Sequence, residues 1–261
     1  MASSGATSVL AAVVIAAELA ILAWLILSRC RASRFSPRHY PVYLFGVAMT
    51  RVRWRAKIIG RFELQRGSGA VVVGNHRGPI DPAFVGLAVN GPVHWMVARE
   101  YFDFPLFGTM LRHLQAVPTS RRGIDTAATR QILRYVQSGS LVGVFPEGRI
   151  NTTSEPLLPA HPGAAVIALK ARVPIIPIHV AGSPNDPKSS YGFLHLPART
   201  TLHVGSPIDI SEFYDRAEDR DAQQMVMRRV MKAVARLGGY PDFEPQLIGR
   251  RRSREVNVAA V

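Results

Sequence analysis

Cysteine occurs once in the 261 residues, at Cys30. A single thiol cannot build an intramolecular disulfide framework or a cysteine-based zinc site, so the fold must rest on its core. Carboxylates are also scarce. Eighteen Asp and Glu stand against 32 Lys and Arg, mostly Arg, for a formal net charge of +14. Such an excess implies an anionic partner: nucleic acid, an acidic membrane surface or a phosphorylated substrate. Zinc-finger spacing, an RNP-like aromatic motif and a long basic helix are all missing, and no nucleic-acid partner is expected. There is no long low-complexity tract, and 48% of residues are apolar, which argues against disorder outside the ends. A G-x-S-x-G elbow is absent, which removes one common signal of covalent catalysis. No histidine pair has helical ligand spacing, and no metal is expected.

Charge is nearly absent from Val9 to Leu27, where Glu18 is the only ionisable residue. Nineteen helical residues span about 28 Å, close to the roughly 30 Å hydrocarbon core of a bilayer. The first eight residues lack the positive n-region of a secretory signal, so the stretch reads as a membrane anchor. Arg29, Arg31, Arg34 and Arg38 follow it at once, which predicts a cytoplasmic membrane protein with the bulk of the chain facing the cytoplasm. From Tyr40 to Lys57 apolar residues alternate with Arg51, Arg53 and Arg55, the pattern of a basic interfacial element.

Beyond residue 58 short apolar runs alternate with helical stretches. Strands are predicted at Val71–Val73, Val93–Ala98, Leu141–Phe145, Pro174–Val180 and Thr200–Val204, with a short extended piece at Ala116–Pro118. Helices are predicted at Ala83–Val89, Phe104–Leu114, Asp125–Gln137, Pro162–Arg172 and from Ser211 to Leu237. The apolar residues of the Phe104 helix read as core packing, with the lining of an apolar tunnel as the alternative. The expected class is α/β: a central mixed sheet flanked by helices, with an N-terminal membrane-associated helical segment. The expected division is an anchor and basic interfacial helix (1–58), an α/β domain (59–240) and a basic mobile tail (241–261).

Two stretches carry chemistry. In the first, the run Val71 to Val73 ends in Gly74-Asn75-His76-Arg77-Gly78-Pro79-Ile80-Asp81-Pro82. The glycines and prolines force turns, and Asp81 is expected to cap the next helix. His76 and Asp81 then share a loop at the carboxyl edge of a strand, where open α/β sheets place ligands. A neutral imidazole can take a proton from a hydroxyl near pH 7, and a carboxylate on its other nitrogen fixes the tautomer. The second stretch, Val144-Phe145-Pro146-Glu147-Gly148-Arg149, repeats the strand-then-turn design with a carboxylate and a guanidinium that could bind a hydroxyl and a phosphate.

Four ordered blocks together resemble the glycerolipid acyltransferases of the PlsC type, the 1-acylglycerol-3-phosphate acyltransferases and their relatives. They are N-H-x4-D at Asn75, His76 and Asp81; Val117 to Arg121; F-P-E-G at Phe145 to Gly148; and the proline-bracketed strand Val173 to Ile178. The resemblance covers roughly residues 60–210. It implies transfer of a fatty acyl group from acyl-CoA or acyl carrier protein to the free hydroxyl of 1-acyl-sn-glycerol-3-phosphate, forming phosphatidic acid. The thioester is a co-substrate, and no cofactor is implied. His76 and Asp81 would be catalytic. Asn75, Arg121, Glu147, Gly148 and Arg149 would bind substrate. Many members continue the third block as F-P-E-G-T-R, whereas here Arg149 follows Gly148 directly and Asn151-Thr152-Thr153 comes after. That form looks more like the lysophosphatidylethanolamine acyltransferases, so another lysophospholipid is the alternative acceptor. An inactive, membrane-anchored lipid-binding protein is the alternative from another class.

Overall fold

A computed structural model describes residues 3–32, 35–37, 39–120, 125–186 and 192–248, the side chains of residues 3–11 and of residue 106 apart. In chain order the elements begin with helices α1 (Ser3–Ala32) and α2 (Tyr40–Ala48), a π-helical turn (Met49–Arg53), and strands β1 (Lys57–Ile59) and β2 (Ala70–Gly74). Then come α3 (Asp81–Val89), β3 (Val93–Ala98), α4 (Pro105–His113), β4 (Val117–Thr119), α5 (Thr126–Gln137) and β5 (Leu141–Val144). The series closes with α6 (Gly163–Ala171), β6 (Ile175–Ala181), β7 (Thr201–Val204) and α7 (Arg220–Leu237).

The seven strands form one sheet in the order β1-β7-β6-β2-β5-β3-β4. All neighbours are parallel except β6 and β7. The valines of β2 form a continuous apolar run because both faces of this central strand are covered. Val71 and Val73 pack with residues of α5, α6 and α7; Ala70 and Val72 pack on the other side with Phe84 of α3 and with Trp54. β2 is flanked by β6 and β5, so the loops leaving all three strands gather at one carboxyl edge.

Three boundaries differ from the sequence reading. First, Lys57–Ile59 is an edge strand, in register with Thr201 to His203, so the sheet begins before the expected boundary at 58/59. Trp54 is 1% exposed and meets the Phe84 ring edge-on at 5.8 Å. Arginines interleaved with apolar residues give this stretch the look of a surface helix, and three residues are too short to show strand alternation. Second, the expected last helix is two pieces: a 3-10 turn at Ser211–Arg216, then α7, whose N-cap Asp219 accepts from the Asp221 amide at 2.8 Å. Third, the expected tail is docked as far as residue 248. The Ala160 amide donates to the Gln246 carbonyl, and the Ile248 amide donates to that of Ala160, both at 2.9 Å. Arg250, Arg251, Arg252 and Arg254 lie outside the described residues.

α1 is 30 residues long and from Ala12 to Leu27 carries apolar side chains outward, among them Leu19, Leu22 and Trp24. At its C-terminal end Cys30, Phe35 and Tyr40 form a small cluster with Tyr43 of α2, and the Tyr43 hydroxyl donates to the Asn90 side-chain carbonyl at 2.9 Å. The α1–α2 corner is thereby tied to the end of α3.

His179 on β6 is buried, and desolvation, with help from His203 and Arg77, pushes its pKa down to about 4. Its ordinary value is about 6.5, so between those values the unfolded chain binds more protons than the folded one. Stability held by neutral His179 is complete above pH 6.5 and is lost as pH falls toward 4. The expected loss is on the order of 3 kcal/mol. Denaturant midpoints between pH 7.5 and 4 should fall accordingly, and His179→Gln should flatten the slope.

Candidate active site

The polar turn after β2 is built from its own backbone amides. The Asp81 carboxylate turns back toward the turn, and its Oδ2 accepts three hydrogen bonds: from His76 Nδ1 at 2.9 Å, the Arg77 amide at 2.6 Å and the Gly78 amide at 2.9 Å. Asp81 is therefore the first residue of α3 rather than its cap; Ile80 holds the cap position and makes no side-chain cap bond. The aspartate is 0% exposed, whereas the His76 side chain is 18% exposed. A carboxylate acceptor requires Nδ1 to carry the proton, which leaves Nε2 as the free base of a neutral ring. Nε2 has no protein partner among the described residues.

The imidazole lies flat on Phe145, with ring centroids 4.2 Å apart and planes within 4°, and Phe145 stacks on Trp95 at 4.5 Å. Trp95 can lie across β5 because its register partner is Gly143; a Cβ there would come within 2.6 Å of the indole. Three stacked rings and one carboxylate thus fix the orientation of His76. Stacked aromatic pairs contribute about 0.5–1.5 kcal/mol each beyond their burial.

Asn75 and Glu147 are expected at the substrate, but both turn inward. Asn75 is fully buried; its Nδ2 donates to the Val180 carbonyl at 2.8 Å and its Oδ1 accepts from the Val180 amide at 2.7 Å. It locks the end of β2 to β6. Glu147 accepts from the His76 amide through Oε1 and from the Leu158 amide through Oε2, both at 2.9 Å. Burial pushes its carboxyl pKa up, and the two amide bonds oppose that shift. Its place is a brace between the β2 and β5 loops, whose contact is completed by the Asn151 amide donating to the His76 carbonyl at 2.7 Å. Gly148 (φ +68°) and Arg149 stand exposed on the β5 turn. Arg121, expected at the acceptor phosphate, lies outside the described residues. Asn151 and Thr153 are engaged locally: Asn151 Oδ1 accepts from the Thr153 amide at 3.0 Å and from its hydroxyl at 2.7 Å.

Sequence reasoning missed Arg77. Its guanidinium donates to the carbonyls of Asn151, Thr153, Glu155 and Pro156 at 3.3, 3.0, 2.7 and 3.2 Å. The one available signal is its position next to His76; its partners lie more than seventy residues away. Arg77→Met leaves those carbonyls without their donor. The expected cost is about 1–3 kcal/mol, read as a lower denaturant midpoint and faster proteolysis within 151–156.

Residues 55–181 match the Acyltransferase family model. The chain is 26% identical over 163 residues to the 1-acyl-sn-glycerol-3-phosphate acyltransferase of Bacillus subtilis, covering 62% of this chain and 78% of that protein. It is 22% identical over 130 residues to the enzyme of the same name from Borreliella burgdorferi, covering 49% of this chain and 52% of that one. Its fold matches the crystal structure of the 1-acyl-sn-glycerophosphate (LPA) acyltransferase PlsC from Thermotoga maritima. The TM-score is 0.59, with 20% identity, 84% coverage of this chain and 89% of the other. The family match and these relatives make the chain an O-acyltransferase. More narrowly, it resembles the PlsC-type glycerolipid acyltransferases.

Proposed function

We propose that the protein transfers a fatty acyl group from a thioester, acyl-CoA or acyl carrier protein, to the free hydroxyl of 1-acyl-sn-glycerol-3-phosphate, forming phosphatidic acid for phospholipid biosynthesis. The observation that carries this reading is the pair His76 Nδ1–Asp81 Oδ2 at 2.9 Å beside an Nε2 with no described protein partner. Nε2 takes the proton of the acceptor hydroxyl as its oxygen attacks the thioester carbonyl. Asp81 holds the imidazolium that forms. The tetrahedral intermediate then collapses, the carbon–sulfur bond breaks, and the thiolate recovers the proton from Nε2. Every proton is returned, and no cofactor is required. Arg149 and Arg121 are the candidates for the acceptor phosphate. The similarity to the 1-acyl-sn-glycerol-3-phosphate acyltransferases of Bacillus subtilis and Borreliella burgdorferi supports this acceptor.

α1 supports a place in the membrane. From Ala12 to Ala32 it is long and apolar enough to cross a bilayer, and its apolar side chains as far as Leu27 face outward. The arginines after it favour a cytoplasmic domain at the cytoplasmic membrane. A lysolipid acceptor and a diacyl product both reside in the bilayer, so a tethered site need not extract them fully.

The test is acyl transfer by detergent-purified protein, with labelled acyl-CoA or acyl carrier protein as donor, and lysophosphatidic acid or lysophosphatidylethanolamine as acceptor in separate reactions. Product mainly from lysophosphatidic acid is expected. Product mainly from the ethanolamine lipid would reassign the acceptor, and no transfer from either donor would overturn the substrate reading.

A further inference from the structure

The π-helical turn after α2 brings a set of arginines against a distant loop. Ala48, Met49, Val52, Arg53 and Arg55 face Pro197, Ala198 and Arg199 across an open cleft of about 740 Å³. The two walls are joined at Arg53, whose guanidinium donates to the His195 carbonyl, and at Trp54, whose indole donates to the Leu196 carbonyl at 3.2 Å. Among the described residues no carboxylate lines the cleft. Arg55 and Arg199 are exposed, and among the described residues neither has a hydrogen bond or ion pair. Arg55 is also a non-glycine residue at φ +45°, held in the left-handed region by the burial of its neighbours Trp54 and Ala56.

The cleft is distinct from the acyl-transfer site, none of whose described residues lines it. Ala181 of β6 pairs with Thr201 of β7, and Thr201 with Lys57 of β1, so Arg55 and Arg199 precede strands that start at the carboxyl edge. Two to three strand spacings separate them from the β2 loop, about 10–15 Å along that edge. Val52 of the cleft wall is 78% exposed, and Phe45, seven residues earlier on the preceding helix, is 67% exposed. Two exposed guanidiniums with no partner among the described residues call for an anion, and the exposed apolar side chains near them call for lipid. A soluble anion would satisfy only the first.

We propose that this cleft binds the phosphate headgroup of an anionic bilayer phospholipid, held by Arg55 and Arg199 with Val52 and Phe45 in the acyl-chain region. This inference rests on the membrane placement argued above, and it assigns the lipid a role other than substrate. A lipid seated here would fix how the α/β domain lies on the bilayer beside its anchor.

The test uses the full chain in detergent, titrated with short-chain phosphatidylglycerol while hydrogen exchange is followed in peptides covering residues 46–60 and 196–204. Parallel titrations use short-chain phosphatidylcholine, sodium phosphate and coenzyme A. Protection of both peptides by phosphatidylglycerol alone is expected, with apparent affinity falling roughly 30-fold in Arg55→Gln/Arg199→Gln. The variant should keep its melting temperature and its detergent turnover. Equal protection by phosphatidylcholine, or undiminished affinity in the variant, would overturn the proposal. Protection by phosphate or coenzyme A without lipid would reassign the cleft to a soluble anion and also overturn it. Acyl transfer, measured on the same sample, reports separately on the substrate reading, so the two can fail independently.

Discussion

His76→Ala should lower acyl transfer by about 10²–10⁴-fold, the usual contribution of a positioned general base. The loss should fall on kcat, because the ring acts on the hydroxyl proton as the carbon–oxygen bond forms. The fold should survive. His76 contributes one side-chain hydrogen bond and one stacking face, while its amide bond to Glu147 and its carbonyl bond to Asn151 belong to the backbone and remain. The measurement is kcat and KM in detergent, with the denaturant midpoint recorded beside them. Retention of more than about a tenth of wild-type turnover in a folded variant would remove His76 from the chemistry.

The second large effect is expected at Asp81, where two substitutions separate chemistry from folding. In Asp81→Asn the amide oxygen can replace Oδ2 and still accept from the Arg77 and Gly78 amides. The new NH2 then occupies the place of Oδ1, which is buried and has no partner. One unsatisfied amide costs about 1–3 kcal/mol. The neutral side chain also stabilises the imidazolium less, so turnover should fall about 10²–10⁴-fold while the protein stays folded. Asp81→Ala removes the acceptor of three donors at once and should unfold at clearly lower denaturant. If Asp81→Asn turned over normally, the carboxylate would be a loop-former only, and the pair would lose its catalytic meaning.

These effects trace back to how the loop is made. His76 and Asp81 are legible as a pair because four residues of turn-forming sequence separate them, and a local hydrogen bond is what such spacing allows. The helix start at Asp125 is legible for the same reason, and the Asp125 carboxylate caps it by accepting from the Ala128 amide at 3.0 Å. Asn75 and Glu147 are legible as important but not in their role. Their partners are backbone groups of Val180, His76 and Leu158, contributed by other strands and loops. A polar residue beside a catalytic histidine reads as a ligand contact until the fold shows that a distant peptide group already occupies it.

Local pattern alone determined the strand–helix alternation, the apolar segment and the two strand-end turns that bear the chemistry. Each depends on residues a few positions apart, where backbone preferences and side-chain periodicity act directly. Tertiary structure decided the rest: the edge strand at Lys57–Ile59, the Arg77 strap, the His76–Phe145–Trp95 stack, and the cleft that joins Arg55 to Arg199. Each of these needs groups from separate parts of the chain to meet at a definite distance. The packing of the sheet sets that distance, and no local spacing encodes it.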